Sequence, residues 1–407
     1  MHILLIHQAF ASLNEPGGTR HHELARYLVE RGHQVTVIAS PVSYLTGAST
    51  TGSDRWVTRQ EEDGLTILRT FTYSAIHRSF VHRVLSFISF MISSFWVGLS
   101  IKKVDIIWGT SPPIFQGITA WALARLKRIR FLFEVRDLWP DFAIEMGVLR
   151  NRLIIRASKG LEQFLYSHAD RLMVNSPGFI EHVKAHGARR IELVPNGSDP
   201  RMFNPAKDGS NFRKVHGLEG KFVLLYAGAH GLANDLGIAL DAAQRLRDHS
   251  EIAILLLGDG KEKPALMAEA GKRQLDNVHF VAPVAKLEMP EVLAAADACL
   301  AILKPIPLFA TVYPNKVFDY MAAGKPVILA IQGVIQQVVA EVRAGIPVPP
   351  GDSIAMAEAI LALAQDREEA NKMGERGRQY IEAHFDRVVI AARLEKIMVQ
   401  ILMEGQN

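Results

Sequence analysis

Short apolar runs separated by stretches of helical periodicity set the pattern of this chain. Residues 2–7, 34–39 and 65–71 have the length and apolar content of buried strands, and a helical pattern over 19–31, closed by Gly32, lies between the first two. Residues 105–109 predict another strand, 113–127 a helix, and 130–135 a strand that runs into E-V-R-D-L-W-P-D. A helix over 150–168, a strand over 170–176, a helix up to His186 and a strand over 191–195 follow. Residues 201–220 are polar and irregular, which puts a domain boundary near residue 200. The alternation then resumes, with strands at 222–227, 252–257, 278–281, 298–303 and 327–330. Apolar strands alternating with helices argue for parallel sheets. The pattern therefore predicts two α/β domains, over 1–200 and 201–385, each a Rossmann-like doubly wound parallel sheet. From about Asp352 the chain reads as helical to its end. A last helix, about 386–404, presents Val388, Ala391, Leu394, Ile397 and Ile401 as a packing face and is expected to return to the first domain.

One segment departs from this alternation. Eighteen uncharged residues, 84–101, are flanked by Arg83 and by Lys102-Lys103, and no acidic residue occurs between Asp63 and Asp105. Ser86, Ser89, Ser93 and Ser100 follow helical spacing, leaving Phe87, Phe90, Phe95 and Trp96 on the rest of the circumference. Two readings stand side by side: a small-residue stripe packed on the protein with an apolar face in lipid, or a buried core helix.

Composition narrows the class. In 407 residues, 49% are apolar and 22% charged, a soluble globular balance with room for two cores. The net charge of +4 is uneven: residues 1–200 carry 23 Lys+Arg against 17 Asp+Glu, residues 201–407 carry 23 against 25. A basic first half suits anionic lipid or a phosphorylated substrate, whereas the small total excess, without interleaved aromatics, argues against nucleic acid. The single cysteine, Cys299, permits no internal disulfide, so a reducing cytoplasm is expected. The opening M-H-I-L-L-I-H lacks a basic region and reads as a first strand instead of an export signal.

Candidate chemistry falls at the ends of the predicted strands. Gly17 and Gly18 allow close backbone approach to a ligand, but G-x-G-x-x-G is absent and Ala39-Ser40 stands where a ribose-binding acid would end the second strand. A nicotinamide dinucleotide is therefore not expected. Glu134, Arg136, Asp137 and Asp141 crowd the carboxyl end of a strand, where open α/β sheets bind ligands; Arg136 and Asp137 also fit a structural ion pair beside Trp139. Residues 311–330, T-V-Y-P-N-K-V-F-D-Y-M-A-A-G-K-P-V-I-L-A, read as loop, short helix, glycine stop and buried strand. The helix start, with Lys316 beside it, suits phosphate. Neither D-x-D nor a His/Cys cluster of metal spacing was recognised, so no metal or other cofactor is expected.

Taken together, G-G-T-R-H-H-E-L-A-R-Y-L-V-E-R-G-H-Q-V-T-V-I, F-E-V-R-D-L-W-P-D, V-P-N-G-S-D, Y-A-G-A-H-G, G-D-G and Y-P-N-K-V-F-D-Y-M-A-A-G-K-P-V-I resemble the retaining glycosyltransferases of family 4. That resemblance implies two Rossmann-like domains facing across a cleft, the GT-B arrangement. The pair R-D-L-W-P and P-N-K-x-F-D-Y-M is most similar to the bacterial N-acetyl-L-fucosaminyltransferase-like branch of surface-polysaccharide assembly. It implies a nucleotide-sugar donor, UDP-linked and carrying an N-acetylated amino sugar, and a polyprenyl-diphosphate-linked acceptor at an anionic membrane surface. The protein is then expected in the cytoplasm, peripheral on the inner face of the plasma membrane, with Phe87, Phe90, Phe95 and Trp96 facing lipid.

Residue by residue, the resemblance puts Gly17, Gly18 and Thr19 in the loop facing the donor diphosphate and acceptor. Gly228, His230, Asn234, Gly258 and Asp259 line the nucleotide, with Thr311, Tyr313, Asn315, Lys316 and Asp319 completing the donor side. The family's E-x7-E motif puts its second acid on ribose and its first on the sugar; here those positions are Asp319 and Thr311. Threonine cannot replace a carboxylate, which leaves sugar recognition to backbone groups and Tyr313. Usual diphosphate cations after the first strand of the second domain are replaced by Ala229, His230 and Asn234, so Lys316 is the expected phosphate cation. Asp137, Arg136 and Glu134 become the catalytic candidates, Asp137 positioning the acceptor or supporting oxocarbenium charge. Two alternatives remain: a nucleotide-sugar epimerase or hydrolase of the same fold, and a non-catalytic sugar-nucleotide-binding partner, which the missing first acid would suit.

Overall fold

The computed structural model describes residues 1–43, 47–52, 55–74, 78 and 80–404. The chain divides into two compact units, one of residues 1–12, 18–195 and 388–407, the other of residues 13–17 and 196–387. The split falls five residues before the expected boundary. Residues 388–407 cluster with the first unit, where Glu395 pairs with His33 at 2.9 Å and Glu404 with Arg171.

The first unit is built on eight strands: β1 (His2–Ile6), β2 (Gln34–Ala39), β3 (Val57–Glu62), β4 (Leu65–Thr70), β5 (Ile106–Ser111), β6 (Arg130–Val135), β7 (Arg171–Val174) and β8 (Ile191–Leu193). Their order is β3-β4-β2-β1-β5-β6-β7-β8, parallel except for the antiparallel β3–β4 pair. β1, β5 and most of β6 are fully buried because helices cover both faces, which is why they read as apolar runs.

Strand β3 was absent from the sequence reading. Its residues V-T-R-Q-E-E are too polar for a buried strand, and they form an edge strand against β4 across an Asp63-Gly64 turn. Asp-Gly between two extended runs was the available hairpin signal. Asp63, at φ 51°, then accepts from Nε2 of the buried His22 at 2.8 Å.

The unusual segment is a 21-residue helix, Phe80–Ser100, long and apolar enough by length and composition to cross a membrane. Residues 75–77 and 79 of the acid-free stretch before it lie outside the described residues. Ser86, Ser89 and Ser93 of its serine stripe face the protein, whereas Ser100 is exposed: Ser93 Oγ donates to the carbonyl of Phe71, and Ser89 Oγ accepts from Tyr73 N–H at 2.9 Å. Phe90 is fully buried among these contacts, so it does not face outward as expected. A residue one turn from Ser86 and three from Ser93 belongs to their face, and the wider apolar arc had been drawn too far round. Phe87 and Phe95 are half-buried, while Trp96 is 62% exposed. The outward stripe is Val81, Leu85, Ile92 and Trp96.

The second unit carries β9 (Phe222–Ala227), β10 (Ile252–Leu257), β11 (Val278–Val281), β12 (Ala298–Ile302), β13 (Val327–Ala330) and β14 (Gly345–Pro347). They form one parallel sheet in the order β11-β10-β9-β12-β13-β14. The order reverses between β9 and β12, and at such a switch point open α/β sheets bind ligands beyond the strands' carboxyl ends. The short edge strand β14 gives too few residues for a periodic signal, and the helix Ser210–Val215 lies inside the segment read as irregular.

Candidate functional site

In the first unit, the candidates at the end of β6 fall into two environments. Glu134 has no solvent exposure and accepts hydrogen bonds from Arg20 Nε at 3.1 Å, His21 Nε2 at 2.6 Å and Trp108 Nε1 at 3.2 Å. Burial alone would raise its carboxyl, but the charges of His21 and Arg20 and the His21 hydrogen bond outweigh it and hold the group well below the usual range. Arg20 also donates to the carbonyls of Val194 and Pro195, both at 2.7 Å, so the helix Arg20–Glu30 is fastened to the sheet through its first residue. Arg20 and His21 were overlooked in the sequence; the signal was R-H-H opening a helix after a glycine pair.

Two residues later the environment changes. Arg136 donates to Thr110 Oγ1 at 3.0 Å, to the carbonyls of Ser111 and Pro112 at 3.3 Å, and to His7 Nε2 at 3.1 Å. These contacts tie it to the end of β5 and to His7, just beyond β1. Among the described residues the Asp137 side chain makes no hydrogen bond and no ion pair, so the Arg136–Asp137 pair is not formed. Burial pushes its carboxyl up to about 6, against the lowering effect of the nearby Arg136 charge. An unpartnered, raised carboxyl at the end of a parallel strand can accept a hydrogen bond or face developing positive charge. Asp141 instead pairs with Lys159 at 3.1 Å.

The expected glycine loop spans the two units: Gly17 clusters with the second, Gly18 and Thr19 with the first. Gly18 has open space around it, and Thr19 Oγ1 donates to Glu23 Oε1 at 2.6 Å.

In the second unit, three loops lock together at the carboxyl ends of β9 and β10. Gly228 donates to the carbonyl of Leu257 and Gly258 to that of Val281; a Cβ on Gly258 would collide with the Gly228 carbonyl. His230 N–H donates to the Asp259 carbonyl at 2.8 Å, and Asp259 Oδ1 accepts from Gly260 N–H. The His230 ring is fully buried, and neither nitrogen has a hydrogen-bond partner among the described residues. Burial, reinforced by Lys263 and Lys316, pulls it down to about 4, so it is neutral at physiological pH. Asn234 ends a single helical turn, Leu232–Asn234, in the same loop.

The helix Asn315–Ala322 is hung on β9 by Tyr320, whose hydroxyl accepts from Ala227 N–H at 2.9 Å. This anchor sets Lys316 over the Tyr226 ring at 3.8 Å from its centroid, beside Gly228, where any Cβ would lie 2.7 Å from Nζ. No hydrogen bond or ion pair holds that amine among the described residues. Burial pulls it down to about 7. A cation so placed, next to strand-end glycines and a helix start, can bind an anion such as a phosphate.

Asp319 is already partnered. Its Oδ2 accepts from Lys286 Nζ at 2.6 Å and Asn315 Nδ2 at 3.2 Å, and its Oδ1 from Ser198 Oγ at 2.7 Å. Lys286, itself buried, also lies 4.8 Å from the Phe203 ring centroid. Nothing in the local sequence marked Lys286 as the partner of a residue 33 positions on. Tyr313 packs edge-on against Phe318 and Phe385, and its carbonyl accepts from Asn196. Thr311 Oγ1 donates to the Leu308 carbonyl at 2.7 Å. The V-P-N-G-S-D turn thus braces the P-N-K-V-F-D stretch through Asn196 and Ser198.

The sequence profile of the glycosyl transferase 4-like domain matches residues 17–197, and that of the glycosyl transferases group 1 matches residues 221–366. The chain is 26% identical over 312 residues to the putative colanic acid biosynthesis glycosyl transferase WcaI of Escherichia coli K12, covering 74% of this chain and 76% of that one. Its fold is similar to that of a sucrose-phosphate synthase from Thermosynechococcus elongatus, with a TM-score of 0.77 at 19% identity over 99% of both chains. It is also similar to Anabaena Alr3699/HepE in complex with UDP-glucose, with a TM-score of 0.74 at 18% identity over 98% of this chain and 100% of that one.

Proposed function

This chain, which carries both glycosyltransferase domains, is a glycosyltransferase of the GT-B fold, and we propose that it transfers a sugar from a UDP-linked donor to a lipid-linked glycan in surface-polysaccharide assembly. The observation that carries the donor assignment is Lys316: a cation without a counter-ion, beside strand-end glycines, on a helix anchored to the switch-point strand. The UDP-glucose held by Anabaena Alr3699/HepE supports the choice of nucleotide, and the colanic acid assignment of WcaI supports a surface polysaccharide. The resemblance of R-D-L-W-P and P-N-K-x-F-D-Y-M to the N-acetyl-L-fucosaminyltransferase-like branch supports an N-acetylated amino sugar.

In the proposed reaction the acceptor hydroxyl oxygen attacks the anomeric carbon from the face the donor diphosphate leaves. The bond to the departing phosphate oxygen breaks with retention, and that oxygen takes the hydroxyl proton. Lys316 and the amides of the Gly228 and Gly258 loops stabilise the diphosphate electrostatically, in place of a donor-bound metal. Asp137 faces the oxocarbenium charge or positions the acceptor. The outward stripe Val81, Leu85, Ile92 and Trp96, with Lys102 and Lys103 at the helix end, would rest on an anionic membrane on the cytoplasmic side.

The test incubates the protein with UDP-, GDP- and dTDP-sugars, with and without polyprenyl-diphosphate-linked acceptors, and follows nucleotide release. Acceptor-dependent UDP release is expected. Epimerised sugar without acceptor would replace transfer by epimerisation, and silence across the panel would leave a sugar-nucleotide-binding partner.

A further inference from the structure

On the first unit, beside Asp141 but among residues given no role in sugar transfer, three potential metal ligands converge. Glu162 lies on the helix Arg152–His168, His182 on the helix Ile180–Ala185, and His186 at that helix's carboxyl cap. One ligand atom from each lies within 4.8 Å of the others. The H-x-x-x-H spacing of His182 and His186 puts both rings on one helix face, stacked with centroids 4.1 Å apart. The sequence reading missed this pair: its partner carboxylate is 20 positions away, on another helix.

The donor set is already oriented as metal ligands are. His186 Nδ1 is 2.8 Å from the His182 carbonyl, which leaves its Nε2 free. His182 Nε2 is 2.9 Å from Glu162 Oε1, while its Nδ1 faces Asp141 Oδ2 at 3.9 Å. Metal-bound histidines usually donate their second ring nitrogen to a backbone carbonyl or carboxylate; His186 makes the carbonyl contact, while the Asp141 carboxylate lies beyond hydrogen-bond distance of His182. Glu162 supplies the second, independent observation. Its side chain has no solvent exposure, yet its Oε2 has no hydrogen-bond partner among the described residues.

We propose that Glu162, His182 and His186 form a site for a divalent transition cation of the zinc class, with water completing the coordination shell. Two imidazoles and one carboxylate match the N/O preference of such ions over magnesium or calcium. A tetrahedral ion with bonds of about 2.1 Å sets its ligand atoms about 3.4 Å apart, so atoms now within 4.8 Å of one another would draw together on binding. Bound there, the ion would join the helix that follows β6 to the helix that follows β7. Through His182 it would also reach Asp141, at the end of the R-D-L-W-P-D loop. The role is structural and separate from sugar transfer.

The test strips the full chain with a chelator, titrates it with Co2+, and follows visible d–d absorption; Zn2+ is then added as competitor. A saturable one-to-one band displaced by Zn2+ is expected. His186→Gln and His182→Gln should each weaken binding about tenfold or more, while His168→Gln, an exposed histidine on the Glu162 helix, should not. No saturable band, or one that persists unchanged in His186→Gln, overturns the site. His186 is half-buried at a helix end, so this variant decides the matter even if His182→Gln fails to fold.

Discussion

The strand ends of the two units treat charge in opposite ways. In the first, the Glu134 carboxylate is enclosed by Arg20, His21 and Trp108, so anion and cation cancel inside the fold. In the second, Lys316 stands over an aromatic ring beside a glycine with no anion to meet it. A charge satisfied from within holds the protein together; one left unsatisfied is available to a ligand. On that criterion Asp137 belongs with Lys316, although it sits three residues from Glu134. Asp319 belongs with Glu134, since Lys286, Ser198 and Asn315 already occupy it.

The sharpest way to break this division is to neutralise Glu134. Glu134→Gln removes the buried carboxylate that pairs with Arg20 and His21 and should cost about 3–5 kcal/mol of unfolding free energy, measured by urea denaturation. A cost below about 1 kcal/mol would remove the distinction. Lys316→Met should do the reverse: UDP-sugar binding, measured by calorimetry, weakens about ten- to a hundredfold, while stability is kept or rises.

The pH dependence follows from the same lysine. Its folded value is about 7, below the unfolded one, so between the two the unfolded chain binds more protons and stability rises with pH. Lys316→Met should lose that slope in thermal melts across pH 7 to 10. A diphosphate favours the protonated amine, so donor affinity should fall as pH rises above about 7. Transfer rate should fall in the other direction, as pH drops through about 6 and Asp137 is protonated; Asp137→Asn should be slow and lack that limb. The smallest effect is expected at Trp96→Ser, within about 0.5 kcal/mol of wild-type stability because the side chain is largely exposed. Its partition into anionic liposomes should nonetheless drop; equal partition would detach the helix stripe from membranes.

Where burial dictates residue type, the fold was legible. β9, β10, β11 and β13 run over the expected residues because parallel strands covered on both faces leave long apolar runs. β3 escaped because an edge strand needs no apolar run, and Phe90 was misplaced because period alone does not tell how wide the protein-facing arc is. Of the expected site residues, Asp137 beyond β6 and Lys316 in the first turn of its helix are charged groups without a counter-ion among the described residues. Lys286 on Asp319, Arg20 on Glu134 and the Glu162–His182–His186 group were not legible. Each joins positions distant in sequence, and only the packed chain shows which charges have found partners.

The second unit's ends are bonded to each other: Ser198 N–H donates to the Phe385 carbonyl at 3.1 Å, and Arg387 N–H returns to the Ser198 carbonyl at 2.8 Å. Apart from residues 13–17, the chain enters and leaves this body at one place, as in a cassette. A segment of residues 196–387 could therefore be exchanged between related enzymes with two cuts at one locus, carrying the Gly228 and Gly258 loops and the Asp319 brace intact. Recombination at that locus would change the surroundings of Lys316 without disturbing the sheet that precedes Asp137.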